Sequence, residues 1–112
     1  MNNDTFFFAK ALADETRQQI LKLICCQWLS VNEIVAKLGL TQPTISHHLA
    51  ILRESGLVRV HQEGKFTYYT LDQEHFVVCC GKLLKNFAPQ KEGINLIQNQ
   101  TEQNPFSPRR PE

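Results

Sequence analysis

The chain has 112 residues, of which 42% are hydrophobic and 21% charged, the composition of one ordinary globular domain. Its formal net charge of +1 excludes any argument for nucleic-acid binding from bulk charge, so such an argument must rest on local pattern. No apolar run approaches the ~18 residues that span a membrane, and the start lacks the features of a secretory signal. We therefore expect a cytoplasmic protein without membrane contacts, whose cysteines stay reduced.

Two helices are predicted in the first quarter of the chain. Residues 5–12 are mostly apolar, and Asp14 is placed to cap a second helix that runs to about Trp28. The apolar positions that recur at three- and four-residue spacing in this second helix are Ile20, Leu21, Ile24 and Trp28.

The most specific local signals lie in the middle of the chain. Ser30 and Glu33 form a capping box for a helix over 31–38, because each side chain can satisfy a backbone N–H of that helix start. Thr41 caps a second helix over 42–54. A short turn that contains a glycine joins the two helices, which predicts a helix-turn-helix.

The remaining elements are a hairpin and a last helix. Residues 57–71 hold two β-forming runs on either side of a turn with Gly64, which predicts a two-stranded wing. Asp72 caps a final helix over about 73–87. The fold class is therefore mainly α with a β-hairpin wing (α+β), a winged helix-turn-helix.

The predicted boundary of this fold falls near residue 89. Residues 1–89 are expected to form the winged helix-turn-helix and its dimerisation surface. Residues 90–112 are rich in Gln, Asn and Pro, so we expect a disordered tail there.

Polar residues on the second helix of the helix-turn-helix are candidates for DNA contact. Ile45, Leu49 and Leu52 share the apolar face, which leaves the polar side chains of the N-terminal half free to reach base edges. His48 has an alternative role as a hydrogen-bonding partner within the protein. Basic residues of the wing and of the helix end are expected at the DNA backbone or minor groove. The predicted DNA-contacting residues are Gln42, Thr44, Ser46, His47, His48, Arg53, Arg59, His61 and Lys65.

Three passages of the chain resemble the ArsR/SmtB family of bacterial metal- and metalloid-responsive repressors. They are residues 10–24, with Asp14 and Arg17 in place, residues 29–58, which hold the helix-turn-helix, and residues 63–71 of the wing. The resemblance implies a homodimer that binds double-stranded operator DNA and releases it when a ligand binds. It also implies that the regulation is repression.

The terminal helices are expected to form the dimer interface. The apolar stripe over residues 76–87 has more area than a small core needs, and together with Phe6, Phe7 and Phe8 it is expected to form this interface. An alternative is that both helices only cover the core of the monomer; the resemblance favours the dimer. The predicted interface residues are Phe6, Phe7, Phe76, Cys80, Leu83, Leu84 and Phe87.

The effector sites that the resemblance implies are missing. The family's metalloid and cadmium sensors carry thiolates on the first helix of the helix-turn-helix, where this chain has Leu-Ser-Val-Asn at 29–32. At the four zinc-ligand positions of the last helix only His75 matches, and Gln73, Asn86 and Pro89 stand at the others.

Two adjacent cysteine pairs remain as candidate sensors: Cys25–Cys26 at the end of the second helix, and Cys79–Cys80 on the last helix. Thiolates that converge in a dimer suit arsenic(III) or antimony(III) with three sulfurs, or a soft divalent metal ion with four. One alternative is a redox or persulfide sensor that joins cysteines of the two helices. Another is that Cys80 and Cys25 are small core residues without a sensing role. No cofactor is expected to be required for folding.

Two other functional classes are an enzyme and a protein-interaction module. An enzyme is not expected, because the chain has no glycine-rich phosphate loop, and Ser46 beside His47 and His48 lies on an exposed helix without an enclosed site. A winged-helix protein-interaction module without an effector stays open as an alternative, because the positive charge of the predicted DNA surface is weak.

Overall fold

The computed structural model of the protein describes residues 4–89. Within this range it contains five helices and a three-stranded antiparallel sheet with the strand order β1–β3–β2. This architecture confirms the predicted helix-turn-helix with its hairpin wing. The elements are α1 (Asp4–Leu12), α2 (Glu15–Leu23), β1 (Leu29–Ser30), α3 (Val31–Leu38), α4 (Gln42–Glu54), β2 (Val58–Glu63), β3 (Phe66–Leu71) and α5 (Gln73–Phe87).

Side-chain caps define where the helices begin. The Asp14 carboxylate accepts a hydrogen bond from the backbone N–H of Arg17 at 3.0 Å. Ser30 Oγ accepts from the backbone N–H of Glu33 at 3.2 Å, and Glu33 Oε1 accepts from the backbone N–H of Ser30 at 2.8 Å. Thr41 caps α4 in the same way as Asp14 caps α2. Since a cap of this kind stabilises a helix by about 1 kcal/mol, these local contacts select the predicted helix starts.

The second helix ends earlier than the sequence pattern predicts. The apolar spacing extends to Trp28, but α2 ends at Leu23. The backbone carbonyl of Ile24 accepts hydrogen bonds from the backbone N–H of Leu71 and from Thr70 Oγ1, each at 2.9 Å. Because these partners satisfy a carbonyl that would otherwise continue the helical ladder, the chain turns into β1, which pairs with β3. Strand β1 is not among the elements predicted from the sequence.

The hydrophobic core contains two residues, Phe8 and Cys79, that the sequence pattern did not predict there. Phe8 is 1% exposed and packs edge-on against the ring of Phe76 at a centroid distance of 5.5 Å, so it is a core residue of the monomer and not the dimer-interface residue that was expected. On α5 the buried cysteine is Cys79, whereas Cys80, expected as the small core residue, is only half-buried. The other large core residues are Ile20, Ile24, Ile34, Ile45, Leu49, Leu52 and Leu57.

The described residues divide within α5 into two units, residues 4–79 and residues 80–89. The helix-turn-helix and the sheet belong to the first unit. The predicted domain boundary at residue 89 stays a prediction, and the predicted disordered tail at 90–112 lies outside the described residues. Among residues 4–89, no helix is both long and apolar enough to cross a bilayer.

Gly56, which joins α4 to β2, cannot be replaced without strain. Its φ is +80°, and an added Cβ would lie 2.8 Å from His75 Nε2. Gly39, with φ +69°, is a matched control because a Cβ there would meet nothing within 4 Å. We expect Gly39→Ala to lower the free energy of unfolding by about 1 kcal/mol and Gly56→Ala by about 2–3 kcal/mol, measured by urea denaturation. Equal losses would contradict the steric account.

Candidate nucleic-acid interface

The α4 helix is held to the core along one face and open along the others. Ile45, Leu49 and Leu52 are almost fully buried at helical spacing, so they anchor this helix. Of the polar residues predicted to contact DNA from α4, the exposed ones are Gln42, Thr44, His47 and Arg53, and the half-buried ones are Ser46 and His48.

Two hydrogen bonds order the polar side chains at the start of α4. Gln42 Nε2 donates to Ser46 Oγ at 2.9 Å, and Thr41 Oγ1 donates to Thr44 Oγ1 at 2.9 Å. The Gln42 amide keeps its oxygen and a second N–H for another partner. An amide oxygen beside an amide N–H is the pair of groups that bonds the major-groove edge of adenine. The geometry can therefore support base recognition by a side chain that is already oriented.

His48 lies against Arg17 and is an intramolecular partner, the alternative that the sequence left open. The atoms Arg17 Nη1 and His48 Nδ1 are 3.1 Å apart. The same guanidinium donates to the backbone carbonyls of Ala11 at 2.7 Å and Lys10 at 3.3 Å, and lies 3.9 Å from the Asp14 carboxylate. From the sequence, Arg17 is recognisable only as part of a family pattern, because nothing local to residue 17 indicates a partner on α4.

The basic residues of the wing surround an exposed tryptophan. Trp28, which the sequence pattern counted with the apolar positions of α2, is 42% exposed because that helix ends before it. The Arg59 guanidinium lies 5.9 Å from the Trp28 ring centroid, and the His61 ring packs edge-on against Trp28 at 5.9 Å. His61 Nε2 is also 3.7 Å from Glu63 Oε1. Lys65 is exposed in the turn between β2 and β3. Arg59 and Lys65 are the only Lys or Arg residues within 58–71, so the wing presents few positive charges.

The cysteine pairs differ in their surroundings. Cys25 and Cys26 lie beyond the end of α2, not on it as expected, and their Sγ atoms are 2.9 Å apart. The hydrogen bond with Cys26 raises the pKa of the Cys25 thiol. Cys79 Sγ lies 3.4 Å from His75 Nε2, and burial raises the pKa of the Cys80 thiol. Among the described residues of one chain, no three His, Cys, Asp or Glu side chains form a group that could hold a metal ion.

Large apolar side chains are exposed at both terminal helices. Phe6 and Phe7 of α1 are 56% and 51% exposed, and Phe87 of α5 is 81% exposed. Exposed aromatic residues are costly in water unless a partner covers them. The other predicted interface residues, Phe76, Cys80, Leu83 and Leu84, are half-buried.

The fold and the open face of α4 define the class of protein. Two capped helices joined by a glycine-containing turn, followed by a hairpin, constitute a winged helix-turn-helix. The family model for the bacterial regulatory proteins of the arsR family matches residues 14–60. The chain belongs to the ArsR family.

Relatives of the chain are transcriptional regulators. It is 36% identical over 98 residues to the arsenical resistance operon repressor of Escherichia coli K12, covering 85% of this chain and 83% of the repressor. It is 41% identical over 66 residues to the regulator KmtR of Mycobacterium tuberculosis, covering 59% of this chain and about half, 51%, of KmtR. The structure of reduced HlyU from Vibrio cholerae N16961 matches with a TM-score of 0.61 at 36% identity, covering 78% of this chain and 90% of that chain.

The charge of Asp14 predicts a pH dependence. The hydrogen bond from the Arg17 backbone N–H holds the pKa of Asp14 below its usual value. The ionised Asp14 carboxylate therefore contributes its full share to the free energy of unfolding above the unfolded pKa of about 3.9. This contribution is lost as the pH falls through the lower pKa of the folded state. We expect Asp14→Asn, which keeps a capping oxygen, to be less stable than wild type at neutral pH and equally stable in acid, in urea denaturation at a series of pH values. A difference that persists in acid would contradict this assignment.

Proposed function

We propose that the protein is a DNA-binding transcriptional repressor that acts as a homodimer, with α4 of each protomer in the major groove of one operator half-site. The observation that carries this proposal is that α4 is amphipathic. Its apolar face is buried in the core, and Gln42, Ser46 and His47 lie on the rest of its surface. A two-fold dimer would read a near-palindrome with half-sites about 34 Å apart.

The exposed aromatic residues of the terminal helices support the dimer. A second copy would remove Phe6, Phe7 and Phe87 from water, which stabilises association by about 25 cal/mol for each Å² of apolar surface buried. Because a symmetric interface presents the same patch twice, each of these residues would be covered by residues of the partner protomer.

The wing would add contacts to the DNA backbone or minor groove. Arg53 at the end of α4 and Lys65 in the wing turn are exposed cations, and Arg59 and His61 are held beside Trp28. Since each protomer supplies only a few such groups, we propose a modest dependence of affinity on salt. The competing function is a protein-interaction module. Such a module would bind no DNA, so it would show no salt-dependent affinity for a duplex.

Binding to DNA is tested with duplexes from the promoter upstream of the protein's own gene. We expect Gln42→Ala and His47→Ala each to weaken binding about 5- to 100-fold in fluorescence anisotropy at low salt, because each loses contacts to base edges. Gln19→Ala, an exposed glutamine of α2, is the matched control and should bind as wild type does. Absence of binding by the wild-type protein at low salt would favour the interaction module.

The effector is proposed to act on the cysteine thiols, with arsenic(III), antimony(III) or a soft metal ion as the first candidate. Relatedness to an arsenical resistance repressor supports this candidate. Cys25 and Cys26 supply two adjacent sulfurs, and because no third ligand joins them within the described part of one chain, a third sulfur would come from the partner protomer. A cleft of about 450 Å³ lined by Cys26, Trp28 and Arg59 gives small molecules access to the Cys26 thiol.

A thiol-redox or persulfide sensor is the second candidate, and the 2.9 Å separation of the Cys25 and Cys26 sulfurs favours it. In this reaction a cysteine thiolate attacks a low-molecular-weight persulfide and takes its outer sulfur, and the donor leaves as a thiol. A second cysteine then attacks the protein persulfide and displaces hydrogen sulfide, which leaves a protein disulfide. This reaction needs only two protein sulfurs. A metal or metalloid ion needs at least three ligands, and no such group of three His, Cys, Asp or Glu side chains occurs within the described part of one chain.

Either candidate has a physical route from the thiols to the DNA-binding surface. The Cys25 carbonyl accepts a hydrogen bond from Gln73 Nε2 at 2.7 Å, at the start of α5. The preceding carbonyl, of Ile24, accepts from Thr70 and Leu71 at the end of the wing strand β3. A change of backbone conformation at the cysteines therefore alters hydrogen bonds to the wing and to α5.

Release from DNA distinguishes these candidates. We titrate arsenite, cadmium and a persulfide donor into the protein–DNA complex, and repeat each titration with Cys25→Ser, Cys26→Ser, Cys79→Ser and Cys80→Ser. We expect Cys25→Ser and Cys26→Ser to abolish release, and intact mass to show either bound arsenic or metal, or the loss of two hydrogens for a disulfide. If all four variants respond as wild type does, the thiol proposal is wrong.

A further inference from the structure

The contact between Arg17 and His48 determines which nitrogen of His48 carries a proton. Arginine has five N–H donors and no acceptor, so at the 3.1 Å separation of Arg17 Nη1 and His48 Nδ1 the guanidinium donates and the imidazole nitrogen accepts. An accepting Nδ1 has no proton. The imidazole form that accepts at Nδ1 carries its single proton on Nε2.

The guanidinium of Arg17 is fixed independently of His48. Its Nε donates to the Ala11 carbonyl at 2.7 Å and its Nη2 to the Lys10 carbonyl at 3.3 Å, so the last turn of α1 holds it from one side. The Asp14 carboxylate lies 3.9 Å away, and the side chain is 12% exposed. Arg17 therefore reaches α4 with most of its rotamer freedom already removed.

His48 occupies one flank of α4 and has an unused donor. His48 is half-buried and lies about one helical turn from the core residues Ile45 and Leu52, about 100° around the helix from the exposed His47. Within residues 5–89, no acceptor is bonded to its Nε2. A side chain on the flank of a recognition helix is placed for the sugar–phosphate backbone rather than for base edges at the groove centre.

We propose that Arg17 is a positioning residue that holds His48 in the neutral Nε2–H form, so that His48 donates a hydrogen bond to a phosphate oxygen of the operator. This proposal rests on the proposed DNA-binding function. The His48 contact would position α4 on the DNA without recognising the base sequence. Arg17 would contribute to DNA binding without touching the DNA. Because the donor is uncharged, the contact releases no counterion.

The tautomer is measured first, in the DNA-free full chain. Long-range ¹H–¹⁵N correlation spectra of the His48 ring distinguish Nε2–H, Nδ1–H and doubly protonated forms. We expect the Nε2–H form in wild type, and a mixture of the two neutral forms in Arg17→Met, which keeps the length of the side chain without its donors. A wild-type ring that is Nδ1–H or doubly protonated at neutral pH overturns the proposal.

The DNA contact is measured next by anisotropy over a range of salt concentrations. We expect Arg17→Met and His48→Asn each to weaken binding about tenfold, equally for operator and unrelated duplexes, and without the change of about one unit in salt slope that loss of a cationic contact causes. His48→Gln, whose amide N–H reaches close to the Nε2 position, should retain most of the affinity. Arg17→Lys, which keeps the charge but not the fork of donors, should lose affinity as Arg17→Met does.

The outcomes separate the two proposals. Wild-type affinity in Arg17→Met and His48→Asn, with circular dichroism and urea denaturation showing folded proteins, overturns the positioning role. A salt slope that falls by about one unit in His48→Asn also overturns it, because the ring would then be a cation. If the wild-type protein binds no duplex, the proposed function fails together with the phosphate contact, and the tautomer spectrum alone decides whether Arg17 holds the His48 ring. If Arg17→Met does not fold, His48→Asn and Arg17→Lys supply the same comparison.

Discussion

The backbone carbonyl of Ile24 is the point on which much of the layout depends. It receives hydrogen bonds from Thr70 Oγ1 and from the Leu71 N–H, and both donors belong to the last wing strand. These bonds end α2, and the chain that follows supplies a third strand to the sheet. They also place Trp28 on the surface and the Cys25–Cys26 pair in a segment tied to the wing. One buried carbonyl thus sets the relation between the candidate sensor and the sheet.

The candidate DNA surface follows from a second constraint, the anchoring of α4. Ile45, Leu49 and Leu52 hold one face of the helix in the core, and a flank is held by the Arg17–His48 contact. The remaining surface is polar and partly ordered by hydrogen bonds between its own side chains. A helix fixed in this way loses little further freedom when it binds, which is the physical basis of the proposed recognition.

The features that sequence predicted well are those that depend on neighbours in the chain. The capping box of Ser30 and Glu33 and the caps at Asp14 and Thr41 involve residues three apart, so their pattern is visible locally. The early end of α2 was not predictable, because the Thr70 that ends it is 46 residues from Ile24. The Arg17–His48 contact spans 31 residues. Helical spacing likewise indicated an apolar stripe on α5, but not that Cys79 rather than Cys80 is the buried residue.

The most direct test of the account is amide chemical-shift mapping during titration of the full chain with an operator duplex. The account predicts the largest shifts at the N-terminal half of α4, with a second group at the wing turn around Lys65, and small shifts at the core residues that anchor the helix. Shifts confined to the sheet surface around Trp28, with α4 unchanged, would contradict it and would make that surface the binding site of the protein.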